Sequence, residues 1–189
     1  MTRDSEISRL IPNGVEKVVN SLKRASIIGF WLQIILGVIA GVTLLFASPI
    51  LISNQDRNQG NTFGVLCALF SLILLGIGIF FSFRYGKVAK KIQTPDPTLR
   101  PKKSETIKMI RFGLIINLVG MFLATVGAQA LVGIVLAKSL ARPQVAFDSS
   151  PTGLVNSLDL LIIQANTNTI TAHFSGIITS LWLLGRVAR

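Results

Sequence analysis

Hydrophobic positions fall into four long runs separated by polar stretches. Residues 25–52, 62–83, 112–137 and 158–185 are the runs, and each has the roughly 20 mainly apolar positions a helix needs to cross a bilayer. Lipid offers backbone polar groups no partners, so such runs fold as helices that satisfy themselves. The pattern predicts an all-α polytopic membrane protein with four transmembrane helices. Ahead of the first run, Val15, Val18, Val19 and Leu22 repeat at helical spacing opposite Glu16, Lys17 and Lys23. This predicts a short amphipathic helix within an N-terminal segment, 1–24, lying in the headgroup region with its cations toward anionic lipid. The rest, 25–189, reads as one transmembrane domain with a basic cytoplasmic insert at 84–111. Pro95, Pro97 and Pro101 keep the middle of the insert extended, while Arg84 to Gln93 continues the second helix out of the membrane.

Small residues mark the faces along which these helices pack. Gly29, Gln33, Gly37 and Gly41 recur every four residues in the first run. In the third, Gly113, Asn117, Gly120, Ala124 and Gly127 alternate steps of four and three. Gly64, Ala68, Ser71, Gly78 and Ser82 do the same work in the second. Small side chains at this spacing let helix backbones approach closely. Gln33 and Asn117 lie on these seams and require partners on other helices; Gln129 reads as another buried amide.

The fourth run differs from the others. It has no charge between Asp159 and Arg186, yet Gln164, Asn166, Thr167, Asn168, Thr169, Thr171, His173 and Ser175 fill its middle. At about 100° per residue, Asp159, Asn166 and His173 share one stripe, and Gln164, Asn168, Thr171 and Ser175 share another. Two polar sides predict protein neighbours on both, and so the least lipid-exposed helix. An ionisable residue inside a membrane is a functional candidate. His173 is therefore a candidate permeation group or metal ligand, with Asp159 as a second ligand. The plainer reading makes it an imidazole bonded to one of the amides Asn166, Asn117, Gln33 or Gln129. Asp159 and His173 lie about 21 Å apart along one helix, too far for an acid–base pair. No paired carboxylates, phosphate loop or Cys/His ligand spacing occurs, so neither catalysis nor a resident cofactor is expected.

Charge adds orientation. The net charge is +11, from 19 basic and 8 acidic residues, and the mean hydropathy is +0.62. The basic residues flank apolar runs, where they act as topology signals, so nucleic acid is not an expected partner. With the amino terminus, the 84–111 insert and the carboxyl terminus on one side, that side carries sixteen basic residues and the other three. The positive-inside rule then puts both termini in the cytoplasm. Cys67, the single cysteine, lies within an apolar run as a buried thiol. The first twenty residues hold neither a signal peptide's apolar core nor an acid-poor transit sequence.

Three stretches, IIGFWLQI (27–34), GLIINLVGMFLATVGAQALVGIVLAKSL (113–140) and LDLLIIQANTNTITAHFSGIITSLWLL (158–184), resemble a known family. It is the chloroplast inner-envelope family called "permease in chloroplasts", also described as a subunit of the Tic import translocon, with cyanobacterial relatives. The last stretch carries the pattern in Leu158 and Asp159, Gln164 and Ala165, Asn168 and Thr169, His173 and Phe174. The resemblance implies a four-span, homo-oligomeric α-helical protein of the chloroplast inner envelope, or of a cyanobacterial plasma or thylakoid membrane. It implies one of two roles. One is permeation of iron or another divalent metal ion, for which a path between protomers is expected because four spans are few for a self-contained transporter. The other is that of a translocon, assembly or accessory subunit of a larger membrane complex. With no transit sequence ahead of the domain, a cyanobacterial member is expected. A reporter fused at Arg189 is expected to be active on the cytoplasmic side; activity on the opposite side would refute the even number of spans.

Overall fold

The computed structural model describes residues 13–52, 59–94, 98, 100–141 and 157–188. These form four long helices: α1 (Asn13–Ile52), α2 (Gln59–Ile92), α3 (Lys103–Ala141) and α4 (Ser157–Val187). Each of α1 and α3 packs against both α2 and α4, while α2 and α4 meet more sparsely across the diagonal. The result is a four-helix bundle. Three stretches, Val15–Phe46, Thr62–Ile92 and Lys103–Ala137, are long and apolar enough to cross a membrane. The described part of α4 does not join them, because the amides, threonines and His173 in its middle lower its hydropathy.

The outside of the bundle is apolar over one continuous belt. Exposed large hydrophobic side chains run from Ile27 to Phe46 on α1, Phe63 to Phe83 on α2, Phe112 to Leu140 on α3 and Leu160 to Trp182 on α4. At about 1.5 Å per residue, the belts on α1, α2 and α4 are roughly 30 Å tall, the thickness of a bilayer's hydrocarbon core. Water would reject so much exposed apolar surface; lipid accepts it. The chain is thus a multi-pass membrane protein. At one end all four belts stop at an exposed arginine: Arg24, Arg84, Arg111 and Arg186. Lys103 Nζ donates to the Ala188 carbonyl at 3.1 Å, tying the start of α3 to the end of α4 at this basic end.

Two apolar clusters close the interior. At the basic end Val19, Leu22 and Ala25 of α1 meet Phe81, Tyr85 and Ala89 of α2, Ile110 of α3 and Leu183 and Val187 of α4. At the other end Ala40 and Leu44, Val65 and Ala68, Leu131, and Ile162 and Ala165 form the second. Between them lies a polar layer.

Three expectations need correction. The amphipathic segment before residue 25 is no separate interfacial helix: α1 runs unbroken from Asn13 to Ile52. No proline interrupts residues 13–48, and Val19 and Leu22 are buried against the other three helices instead of lipid. Gln129 is exposed, not buried, because it lies on the side of α3 opposite Gly120, Ala124 and Gly127. And α4 is not shielded on both sides. Its Gln164, Thr167 and Thr171 are exposed while Asn166, Thr169 and His173 are buried.

Candidate functional site

The polar layer is a ring of side chains that passes through every helix. Ser82 Oγ of α2 donates to Gln33 Oε1 of α1 at 2.7 Å. Gln33 Nε2 donates to Asn117 Oδ1 of α3 at 2.9 Å. The same oxygen lies 3.1 Å from His173 Nδ1 of α4. His173 Nε2 in turn lies 3.2 Å from both Ser71 Oγ and the Ser71 carbonyl, back on α2. Asn117 Nδ2 donates to the Gly113 carbonyl at 2.9 Å, which fixes its oxygen as the atom that accepts. Nδ1 thus faces an acceptor in Asn117 Oδ1 and Nε2 faces an acceptor in the Ser71 carbonyl, so a ring proton has a partner on either nitrogen. Ser71 Oγ donates its one hydrogen to the Gly120 carbonyl at 2.7 Å and meets Nε2 through its oxygen. Gln33, Ser71 and His173 are fully buried, at 0% exposure.

Glycines make room for these groups. A Cβ added at Gly120 would collide with the imidazole of His173. One at Gly176 would collide with the amides of Gln33 and Asn117, and one at Gly78 would come within 2.9 Å of Asn117 Oδ1. No described glycine has positive φ, so space and not backbone conformation explains them. Gly29 approaches Thr179, Gly37 approaches Leu75, and Gly64 and Gly127 set the backbones of α2 and α3 against each other. Gly113 backs onto Tyr85, whose hydroxyl lies 3.3 Å from Ser180 Oγ. The looser Gly41 has only Leu72 nearby, at 3.8 Å.

Each predicted polar residue can now be placed. Gln33, Asn117 and His173 come together in the ring, as the plainer reading of His173 supposed. Asn166 is buried about two turns away, beside Gly127; its Nδ2 donates to the Ile162 carbonyl at 3.2 Å. Asn166 Oδ1 is the only buried side-chain polar atom without a partner among the described residues. The Asp159 side chain lies outside the described residues. Among them, no group of three His, Cys, Asp or Glu side chains gathers. Both His173 nitrogens face protein groups, so a metal ion there would have to displace Asn117 or Ser71.

Outside, α4 presents the second polar stripe within the apolar belt. The Thr167 and Thr171 hydroxyls bond back to the carbonyls of Ile163 and Thr167, each at 2.9 Å, and are satisfied by their own helix. The amides are not. Gln164 Nε2 donates to Asn168 Oδ1 at 3.3 Å, which leaves Gln164 Oε1 and the Asn168 amide hydrogens open among the described residues. In hydrocarbon each open group costs several kcal/mol, on the order of magnitude set by water-to-alkane transfer. The packing register carries this across to α3. His173 lies against Gly120 and Asn166 against Gly127, so exposed Gln129 lies at the level of Gln164.

Sequence reasoning read Ser71, Gly78 and Ser82 as spacers only. Ser71 and Ser82 are in fact the two ends of the ring on α2. Gly176 and Tyr85 carried no signal beyond their apolar surroundings.

Comparison with known proteins extends over nearly the whole chain. The family described as "Protein of unknown function (DUF3611)" matches residues 12–188. The chain is 30% identical over 193 residues to "Protein TIC 21, chloroplastic" of Arabidopsis thaliana, covering 97% of this chain and 64% of that protein's length. The chain thus spans less than two thirds of that relative. No solved structure matches.

Gly120→Ala is expected to destabilise the protein by about 1–3 kcal/mol through overpacking against His173. Gly133→Ala, with nothing within 4 Å of its added Cβ, is expected to be neutral or stabilising. Thermal unfolding in detergent reads both, and equal stability of the two variants would contradict the assigned packing.

Proposed function

The chain belongs to the DUF3611 family, and from that premise we propose that it is a four-span permease whose polar path forms between protomers. The proposed cargo is iron or another divalent metal ion, and no enzymatic role is assigned. The single observation that carries this reading is the outward amide stripe of α4, Gln164 and Asn168 with Thr167 and Thr171, inside the apolar belt. Hydrocarbon does not tolerate open amides; a wet path or a second protein surface does. The interior of one protomer is a poor alternative route, because the hydrogen-bonded ring and its glycine seats fill it. A homo-oligomer lets the stripes of two or more protomers line one passage. Amides coordinate divalent ions weakly, which suits passage better than storage.

The fourth span follows in this reading from the apolar belt of α4, which is as tall as those of α1 and α2. The arginines at one end give the orientation: both termini on the cytoplasmic side. The chloroplastic relative supports an inner-envelope-type membrane in plants and the plasma or thylakoid membrane in a cyanobacterium.

The outward stripe also supports a second reading, in which a fixed helix of another protein covers it. The protein would then be a non-catalytic subunit of a membrane complex, serving protein import in a plastid or a photosynthetic assembly in a cyanobacterium. Uptake of ⁵⁵Fe²⁺ into proteoliposomes separates the two. The permease reading predicts uptake above empty vesicles, lowered about tenfold or more by Gln164→Leu with Asn168→Leu, a double change at one exposed and one half-buried position. Absence of uptake by the wild type would overturn it, and co-purification of one fixed partner would then carry the subunit reading.

A further inference from the structure

We propose that the outer groove between α1 and α2 at the basic end holds the phosphate headgroup of an anionic lipid. The proposal rests on the membrane embedding described above and not on transport, so a protein that moves no ion could still hold the lipid.

The groove is built in two storeys. The lower storey is aromatic. Phe30 of α1 and Phe83 of α2 face each other with ring centroids 6.2 Å apart, and Trp31 packs edge-on against Phe30 at 5.9 Å. These rings lie at the rim of the apolar belt, where aromatic side chains match the glycerol level of a bilayer. The upper storey is cationic. Lys87 follows Phe83 by one turn and Lys90 by two, so both stand over that ring on one helix face. Lys87 Nζ lies 4.7 Å from the Phe83 centroid, a cation–π contact that holds the ammonium down at the edge of the belt. On α1, Lys23 precedes Phe30 by seven residues and shares its stripe. The register brings these cations together. Gly37 meets Leu75 and Gly86 meets Ser26, which puts Lys23 at a level between Lys87 and Lys90.

All three lysines are exposed. Glu16 and Glu105 are the only acidic side chains among the described residues. Glu105 is on α3, and Glu16 lies seven residues beyond Lys23, about 10 Å further from the belt. Three cations over an aromatic bed, with no acid between them among the described residues, complement a phosphodiester with acyl chains below it. Side-chain direction brings the α2 lysines toward this groove, while Lys23 of α1 leans the other way. Helical side chains lean toward the amino terminus. On α2 that direction leads back toward the membrane, so Lys87 bends into the headgroup layer and not away from it.

The test is native mass spectrometry of the detergent-purified full chain after exchange with phosphatidylglycerol or phosphatidylcholine. Wild type is expected to retain phosphatidylglycerol about tenfold or more over phosphatidylcholine, given roughly thirtyfold discrimination from two near-surface cations. Lys23→Gln with Lys87→Gln should remove that preference, Lys23→Arg with Lys87→Arg should keep it, and Lys102→Gln with Lys108→Gln should keep it as an equal charge loss on α3. Equal retention of both lipids by wild type would overturn the proposal. So would equal losses in the two glutamine variants, which would mean diffuse attraction. Displacement of phosphatidylglycerol by millimolar inorganic phosphate would also overturn it, by making the groove a soluble-anion site.

Discussion

One closed circuit of hydrogen bonds holds the four helices in phase. It runs from Ser82 to Gln33, Asn117, His173 and Ser71, leaving α2 and returning to it. In lipid, apolar contacts alone choose poorly between helix neighbours, since acyl chains are as apolar as leucine. Buried amides choose sharply, because a misplaced one stays unsatisfied in a medium without water. The ring thus fixes the rotation of each helix about its axis. The apolar clusters above and below it add packing, and they could tolerate other rotations at lower cost.

Fixing the phase of α4 has a consequence on the outside. With Asn166, Thr169 and His173 turned inward, Gln164, Thr167 and Thr171 must turn outward, since a helix has no third option for stripes on opposite sides. Structure and function divide α4 between them on this account. Its inner stripe builds the protomer, and its outer stripe is the one proposed above to line a passage or meet a partner. His173 belongs to the first group, which is why loss of that side chain is a question of folding before it is one of permeation.

Much of this was legible in the residues. Apolar runs, the small-residue seams, Gln33 and Asn117 on those seams, and the basic rim all follow from spacing and charge. The likeness of α3 and α4 to the family of a chloroplastic relative was legible too. What spacing could not decide was which of two polar stripes on α4 faces inward. Asn166, Thr169 and His173 repeat by three and four, and so do Gln164, Thr167 and Thr171. Only the complementary surface decides, and that surface is Gly120 and Gly127 of α3, distant in the chain. Gln129 misled for a related reason: an amide in an apolar run invites burial, yet its helix already spends its inner face on glycines. The start of α1 misled because an amphipathic pattern does not say whether lipid or protein covers the apolar side.

The two-faced character of α4 is open to direct measurement by cysteine scanning in native membranes, on a Cys67→Ala background, with a small water-soluble thiol reagent. Substitutions at Gln164, Thr167, Asn168 and Thr171 should react, while those at Asn166, Thr169 and His173 stay silent in protein that remains folded. Labelling of the second group with silence of the first would contradict the account.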